Sequence, residues 1–341
     1  MTITIYAMAD EQDSLAKYMP NNEIGLVTSS AHHSSTQRGT LAAQGRSPVR
    51  LEWATPVDEA WISGYFGFTN NASTSEFPIM TVYDAASDTS AIHVRATNSS
   101  TFAFARNVSG TMTNFSETLT TPSEFRTVGT AIHTMFHFRF GVSGRIAVYF
   151  DNILFYERLG DYSSLTDFNG IGIRSPNASS VHRVARLVAA SAPIVRQDFD
   201  TLLPDGAGNS SDWGSNGHTR LAASGPIGLS SGIGMMNPYD PIFTNSTGQK
   251  HLSTYGNMGS VGANQKIYGV SLAAIGSIDS AATPTTIEFL ARHSSTDYTL
   301  DDMNISVGDG YCSYQQFLDL NPAGGAWNTT DINAIQFGVT T

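Results

Sequence analysis

The chain has 341 residues, 18 Lys and Arg against 29 Asp and Glu, and a formal net charge of −11 with only 14% charged residues. Lysine occurs only at Lys17, Lys250 and Lys266, so no basic stripe can neutralise a row of phosphates, and nucleic-acid binding is excluded as the main task. Cys312 is the sole cysteine, which rules out an internal disulfide framework or a Cys-rich zinc site.

The opening Met1 to Tyr6 carries no basic n-region and is followed by Asp10, Glu11 and Asp13, so no secretory signal is visible. No stretch approaches the roughly 18 apolar residues a bilayer crossing needs. A soluble product of a reducing cytoplasm, without membrane contact, is the expectation. The length suggests two domains.

Helical periodicity is nearly absent. Apolar residues instead alternate in short runs between Gly, Asn, Asp and Ser clusters, as in an all-β sandwich or barrel. Trp61 to Phe68, Pro78 to Tyr83, Ala91 to Arg95 and Phe102 to Arg106 are strand candidates. The clearest run is Ile132 to Phe140, with Ile132, Thr134, Phe136, Phe138 and Phe140 on a core face and His133, Met135, His137 and Arg139 on a mixed one.

After a Gly141 to Gly144 turn the alternation resumes with Ile146, Val148 and Phe150. Asp151-Asn152 suits a two-residue type I′ hairpin, because both residue types tolerate positive φ. A tight turn there sets Phe150 opposite Ile153 and Val148 opposite Phe155, giving a three-strand meander from Ile132 to Tyr156. Asn169 to Ile173 and Val181 to Val188 complete about ten strands, the number a two-sheet jelly roll needs.

Ala189 to Pro193 breaks the pattern, and the composition then shifts to Gly, Ser and Asn, which places a boundary near Ser191. Residues 1–190 read as a jelly roll with an N-terminal arm and 191–341 as a second β-sandwich, with strands at Ile267 to Ala274, Thr286 to Arg292, Asn304 to Val307 and Tyr311 to Leu318. Near the end Asn328 can cap a short helix, with Asp331 answering as a weak capping box. Ile332 and Ile335 share one face of it and Gly338 closes the turn. Trp213 and Trp327 read as anchors of this domain.

The segment Arg145-Ile-Ala-Val-Tyr-Phe-Asp-Asn-Ile-Leu, with Gly160-Asp161 and Ile171-Gly-Ile173, resembles the back-sheet hairpin of laminin-G/concanavalin-A-like jelly rolls. The final stretch, Asn321-Pro-Ala-Gly-Gly-Ala-Trp327-Asn-Thr-Thr-Asp-Ile332-Asn-Ala-Ile-Gln-Phe337-Gly-Val339, resembles the closing motif of many tailed-bacteriophage structural proteins. Leu203-Pro-Asp-Gly-Ala-Gly208 followed by Trp213 resembles the opening of the same module. Two departures stand out: Thr340-Thr341 follows Gly-Val where that family carries basic or extra apolar residues, and Leu221 to Met258 resembles nothing placed. The resemblance implies a virion protein assembled in the host cytoplasm, with other virion proteins as partners, a homo-oligomeric state and no enzymatic role.

Chemical constellations are sparse. His133 and His137 lie about 13 Å apart along one strand, too far to share a zinc ion whose ligands sit about 2 Å away, and read as polar residues of the less buried face. His32-His33 reads as a solvated loop pair. Asp58-Glu59 and Asp301-Asp302 read as exposed loop charges, and no Glu-x-Asp-x-x-Glu string of the kind concanavalin-like glycosidases carry is present. No catalytic residue and no cofactor is expected. Asp84, Asp88, Asp161 and Asp167, all beside turns, are candidates for structural calcium at a sheet rim. The Asn-x-Ser/Thr strings, such as Asn107-Val-Ser, reflect composition.

Sugar rings stack on exposed aromatic side chains, and Trp61, Tyr65, Tyr83, Tyr149 and Tyr156 are the candidate contacts for a bacterial surface glycan; the competing role of each is packing in the sandwich interior. Two functions therefore stand side by side. One is a non-enzymatic accessory protein that docks to a phage particle and stabilises or decorates it, at the head, neck or tail. The other is a carbohydrate-binding receptor protein of a tail fibre.

Overall fold

The structure, a computed structural model, describes residues 3–9, 24–27, 40–43, 49–69, 77–86, 89–98, 101–108, 110–122, 132–173, 181–195, 202, 204–215, 242–261, 266–276, 278, 285–303 and 312–341. His32, His33, Asp88 and the expected strand Asn304 to Val307 lie outside them. The chain divides into two compact units, Met1–Phe199 and Asp200–Thr341. Residues just past the expected break near Ser191 still belong to the first: the Ser191 N–H donates to the Thr4 carbonyl and Ile194 is buried.

The first unit is an antiparallel jelly-roll sandwich. Its strands are β1 (Ile5–Ala9), β2 (Ile24–Val27), β3 (Thr40–Ala43), β4 (Val49–Val57), β5 (Glu59–Thr69), β6 (Phe77–Asp84), β7 (Ser90–Asn98), β8 (Thr101–Val108), β9 (Thr111–Asn114), β10 (Leu119–Thr120), β11 (Ile132–Arg139), β12 (Gly141–Phe150), β13 (Ile153–Tyr162), β14 (Phe168–Ile173) and β15 (Val181–Ala190). An eight-stranded sheet runs β13-β12-β11-β5-β15-β3-β2, with β1 also paired to β15; a seven-stranded sheet runs β10-β8-β7-β6-β14-β4, with β9 also paired to β8. The expected N-terminal arm is thus in part a sheet strand, Ile5 pairing with Ala190.

The alternation read along β11 fixes what lies between the sheets. Ile62, Phe66, Phe136 and Phe138 from the eight-stranded sheet meet Met80, Val82, Ile92, Phe104, Phe168 and Ile171 from the other. Phe138 reaches Phe168 across the gap, centroid to centroid 6.4 Å, edge to face. Such pairing adds to area burial and locks the two sheets in one alignment.

The hairpin turn forms as its residue types dictate: Asp151 and Asn152 both take positive φ, 47° and 67°, and Phe150 pairs with Ile153. The expected pairing of Val148 with Phe155 does not form. A bulge takes up Phe155, so Tyr149 pairs with Leu154 but Val148 with Tyr156. One extra residue reverses the inside-outside phase of the strand. Tyr156 therefore turns inward, packing against the core.

The second unit comprises β16 (Pro204–Ser211), β17 (Gly214–Ser215), β18 (Ile242–Phe243), β19 (Lys250–Tyr255), β20 (Val270–Gly276), β21 (Glu288–His293), β22 (Thr296–Asp302), β23 (Cys312–Leu318), the helix α1 (Thr329–Ala334) and β24 (Gln336–Thr340). A five-stranded sheet, β16-β19-β24-β21-β22, and the pair β20-β23 enclose Leu272, Phe289, Ala291, Trp327, Ile332, Ile335 and Phe337. This is the second β-sandwich, so the fold is all-β with two sandwiches in tandem.

Its closing motif is a hydrogen-bonded knot. Asn321 Oδ1 accepts from the Ala323 and Gly325 N–H groups, and its Nδ2 donates to Asp331 Oδ2 at 2.9 Å. Asn328 caps α1 by accepting from the Asp331 N–H at 2.9 Å, and the Trp327 indole N–H donates to the Leu318 carbonyl. Contrary to the expectation from sequence, Gly338 does not close the helix. The helix ends at Ile335 in extended conformation, and Gly338 lies within β24 between β19 and β21, where a Cβ would strike the His251 carbonyl.

Candidate functional site

The outward face of the eight-stranded sheet carries the densest polar and aromatic constellation among the described residues. Register puts it together: Trp61 pairs with His137, Ser63 with Met135 and Tyr65 with His133 between β5 and β11, while Met135 pairs with Tyr149, His137 with Ala147 and Arg139 with Arg145 between β11 and β12. Alternation then points Trp61, Tyr65, His133, His137, Tyr149 and Arg145 to the same side.

The rings form a layer in two clusters. Trp61 lies parallel to His137, centroids 4.1 Å apart and 8° between planes, and its indole stands 5.5 Å from the Tyr149 ring at 40°. About 13 Å along the strand, Tyr65 meets His133 edge-on at 5.4 Å, and the Arg186 guanidinium sits 5.5 Å from the centre of the Tyr65 ring. Arg186 reaches it from a bulge in β15, where its own φ is 53°.

Sequence alternation assigned His133 and His137 to a less buried face. Both are in fact buried, at 3% and 2% exposure, His137 against the Trp61 ring and His133 against the Tyr65 ring of β5. Trp61, Tyr65, Tyr149 and Arg145 keep partial exposure.

Four side chains tie the layer down. Arg145 donates from Nε to Glu157 Oε1 at 2.6 Å, from Nη2 to the Tyr149 hydroxyl at 2.7 Å and from Nη1 to His137 Nδ1 at 3.2 Å. Guanidinium has no acceptor, so His137 Nδ1 must be the bare nitrogen. The proton of the neutral ring then sits on Nε2, which lies 2.7 Å from Glu59 Oε1 and donates to it. Burial holds the His137 pKa below the ordinary histidine value; the Glu59 hydrogen bond and charge oppose this, and Arg145 and Arg139 reinforce it. Glu59, expected as an exposed loop charge, instead opens β5 and anchors His137.

The arrangement offers a specific set of contacts. Trp61 and Tyr149 present two tilted aromatic surfaces, each able to receive an apolar C–H face. The Tyr149 oxygen accepts from Arg145, so its own proton is left to donate outward. Glu59 and Glu157, with side chains 39% and 35% exposed, supply acceptors on either side.

Of the five aromatic candidates the structure brings together Trp61, Tyr65 and Tyr149. It separates the other two. Tyr83 lies on β6 of the seven-stranded sheet and is 8% exposed; Tyr156 stacks on Phe104 at 5.5 Å and 17° in the interior, and burial raises its pKa. Trp213 and Trp327 are buried, as their anchoring role requires. Glu59, His137, Arg145 and Glu157 were missed as a network. Their signal was present only as register: Trp61 and His137 become neighbours once β5 is paired to β11.

Three of the four calcium candidates, Asp84, Asp161 and Asp167, lie among the described residues. Asp161 Oδ1 accepts from the Ser163 N–H, and hydrogen bonds from Ser163 hold its pKa below the usual carboxylate range. Asp84 Oδ1 accepts from the Ala86 N–H, and the Asp167 carbonyl from Ala85. Among the described residues no group of three or more His, Cys, Asp or Glu side chains is placed to hold a metal ion, and no helix is long and apolar enough to cross a membrane.

No family model matches the sequence, and no curated protein matches it either. Among solved structures, the chain is similar to an endo-β-1,4-glucuronan lyase from the fungus Trichoderma reesei, at 11% identity and TM-score 0.39 over 56% of this chain and 96% of that one. It is also similar to the Caenorhabditis elegans galectin LEC-6, at 12% and 0.31 over 43% and 92%, and to a carbohydrate-binding module from Bacillus subtilis, at 9% and 0.31 over 49% and 94%. At these scores the likenesses carry no argument about function.

Proposed function

We propose that the protein is a non-enzymatic glycan-binding adhesion protein whose first unit takes a polysaccharide of the bacterial surface on the outward face of the eight-stranded sheet. The observation that carries this reading is the Trp61–Tyr149 platform, backed by the Arg145 hydrogen bonds. A pyranose offers an apolar C–H face and a rim of hydroxyls that both donate and accept. The platform meets the first with its rings and the second with the Tyr149 O–H and the Glu59 and Glu157 carboxylates.

Binding without chemistry fits the histidine. A general base needs a free lone pair within reach of substrate, and His137 spends both nitrogens on Arg145 and Glu59 while only 2% exposed. The setting we assign, an accessory protein of a tailed-phage particle, rests on the resemblance of Asn321 to Val339 to the phage closing motif. On a symmetric particle it would be present in several copies, docked to other virion proteins.

The test is an array of bacterial capsular and O-polysaccharides probed with the full chain. Wild type is expected to bind a subset of them, and Trp61→Ala and Tyr149→Ala to lose that binding. Absence of binding at neutral pH, or equal binding by both variants, contradicts the reading.

A further inference from the structure

We propose that His137 is the positioning residue of this platform and also its acid release: as the Nε2–H tautomer it holds Glu59 and Arg145 at once, and a second proton, on Nδ1, expels Arg145 and lets go of Tyr149. The part of this that concerns ligand rests on the glycan-binding reading; the positioning does not.

The argument is one of donors and acceptors. Nδ1 faces the Nη1 of Arg145 at 3.2 Å, and every guanidinium N–H is a donor. A proton on Nδ1 would put donor against donor and cation against cation in a site closed by the Trp61 ring at 4.1 Å. Imidazolium cannot turn away from the clash, since Nε2 is held by Glu59 at 2.7 Å and the ring is packed on Trp61. Arg145 is the mobile partner, with a side chain 21% exposed and a second anchor in Glu157.

When Arg145 leaves, the Tyr149 hydroxyl loses the bond that fixes its orientation, and the platform loses one wall. The charged groups around the imidazole are Glu59 from β5, Arg139 from β11 itself and Arg145 from β12, with Glu157 of β13 beyond Arg145. The two arginines oppose the proton and Glu59 favours it, while burial outweighs Glu59. The unfolded chain thus takes up this proton before the folded one, near the ordinary histidine pKa of about 6.5. Protonation therefore costs stability as pH falls below that value.

The experiment is a pH titration of the full chain labelled with 15N-histidine, read by long-range 1H–15N correlation, with tryptophan emission followed in parallel from pH 8 to pH 4.5. His137 is expected as the Nε2–H tautomer at pH 8, and to charge only below about pH 6.5. Trp61 emission should fall with the same midpoint, since a protonated imidazole against the indole quenches it. That fall should be absent in Trp61→Phe. It should also be absent in His137→Asn, whose Oδ1 can still accept from Arg145 but cannot titrate.

An Nδ1–H tautomer at pH 8, or charging of His137 with Trp61 emission unchanged, overturns the proposal through wild type alone, whether or not the variant folds. Repeating the polysaccharide array at pH 5 separates the two claims. No binding at either pH together with the coupled His137 and Trp61 transition contradicts the glycan reading and supports the positioning role. Binding that persists at pH 5 with His137 charged overturns the release.

Discussion

The Trp61 indole and the His137 imidazole face each other across paired strands, 4.1 Å apart and within 8° of parallel. The pair forms because both residues occupy the same register position on β5 and β11. It gives the partly exposed indole a rigid backing, so a ligand stacking on Trp61 would not have to order it first, which would lower the entropic cost of binding.

The core of the first unit sets how firmly that backing is held. Phe168 is fully buried and touches Trp53, Phe138 and Phe140, with centroids 5.8, 6.4 and 4.9 Å away. Phe168→Ala should cost about 3–5 kcal/mol through lost contacts and the cavity left behind. Chemical denaturation followed by far-UV circular dichroism would read this as an earlier transition of the first unit.

In the second unit the closing motif should behave as a cooperative knot. Asn328→Ala removes only the helix cap and should cost about 1 kcal/mol. Asn321→Ala strands two backbone N–H groups and one carboxylate contact and should cost about 3 kcal/mol. Thermal unfolding of the two variants checks the order; an equal loss in both would show that Asn321 is not the centre of the turn.

Gly338→Ala should open the five-stranded sheet at its middle strand, because the added Cβ meets the backbone carbonyl of His251 and backbone cannot step aside as a side chain can. A loss of about 3 kcal/mol is expected. Hydrogen exchange should show it as faster exchange along β19 and β24.

Asp297 receives Lys250 Nζ at 2.7 Å and Arg292 Nη1 at 2.6 Å, and the Lys250 hydrogen bond is the main cause holding its carboxyl below the usual range. A depressed folded-state pKa stabilises above the unfolded value, near pH 4, and that stabilisation is lost as pH falls through the folded value. Asp297→Asn should therefore be less stable than wild type at pH 7, by up to about 1 kcal/mol because the pair is solvent-screened. By pH 2 the two should converge, as urea denaturation at both pH values would report.

Much of this architecture was legible because period-two alternation is a local property. Ile132 to Phe140 announced its core face, Asp151-Asn152 its turn, and Asn328 with Asp331 its capped helix. What escaped depended on pairing between distant segments. The bulge at Phe155 leaves no mark in composition, yet it decides that Tyr156 packs on the core, while Tyr149 on β12 keeps the outward side that plain alternation gives it. Gly338 read as a helix terminator because glycine serves that role locally; the close approach of β19 that demands it is non-local. Glu59 looked like a loop charge because its partner, His137, lies on a strand far along the chain.

Affinity electrophoresis of the full chain through native gels containing a bacterial surface polysaccharide selected from the array is the most direct measurement of the central claim. Wild type and Tyr83→Phe should be retarded equally at pH 7.5, while Trp61→Ala should migrate as in a gel without polysaccharide. Retardation of Trp61→Ala equal to that of wild type would contradict the assignment of the binding face.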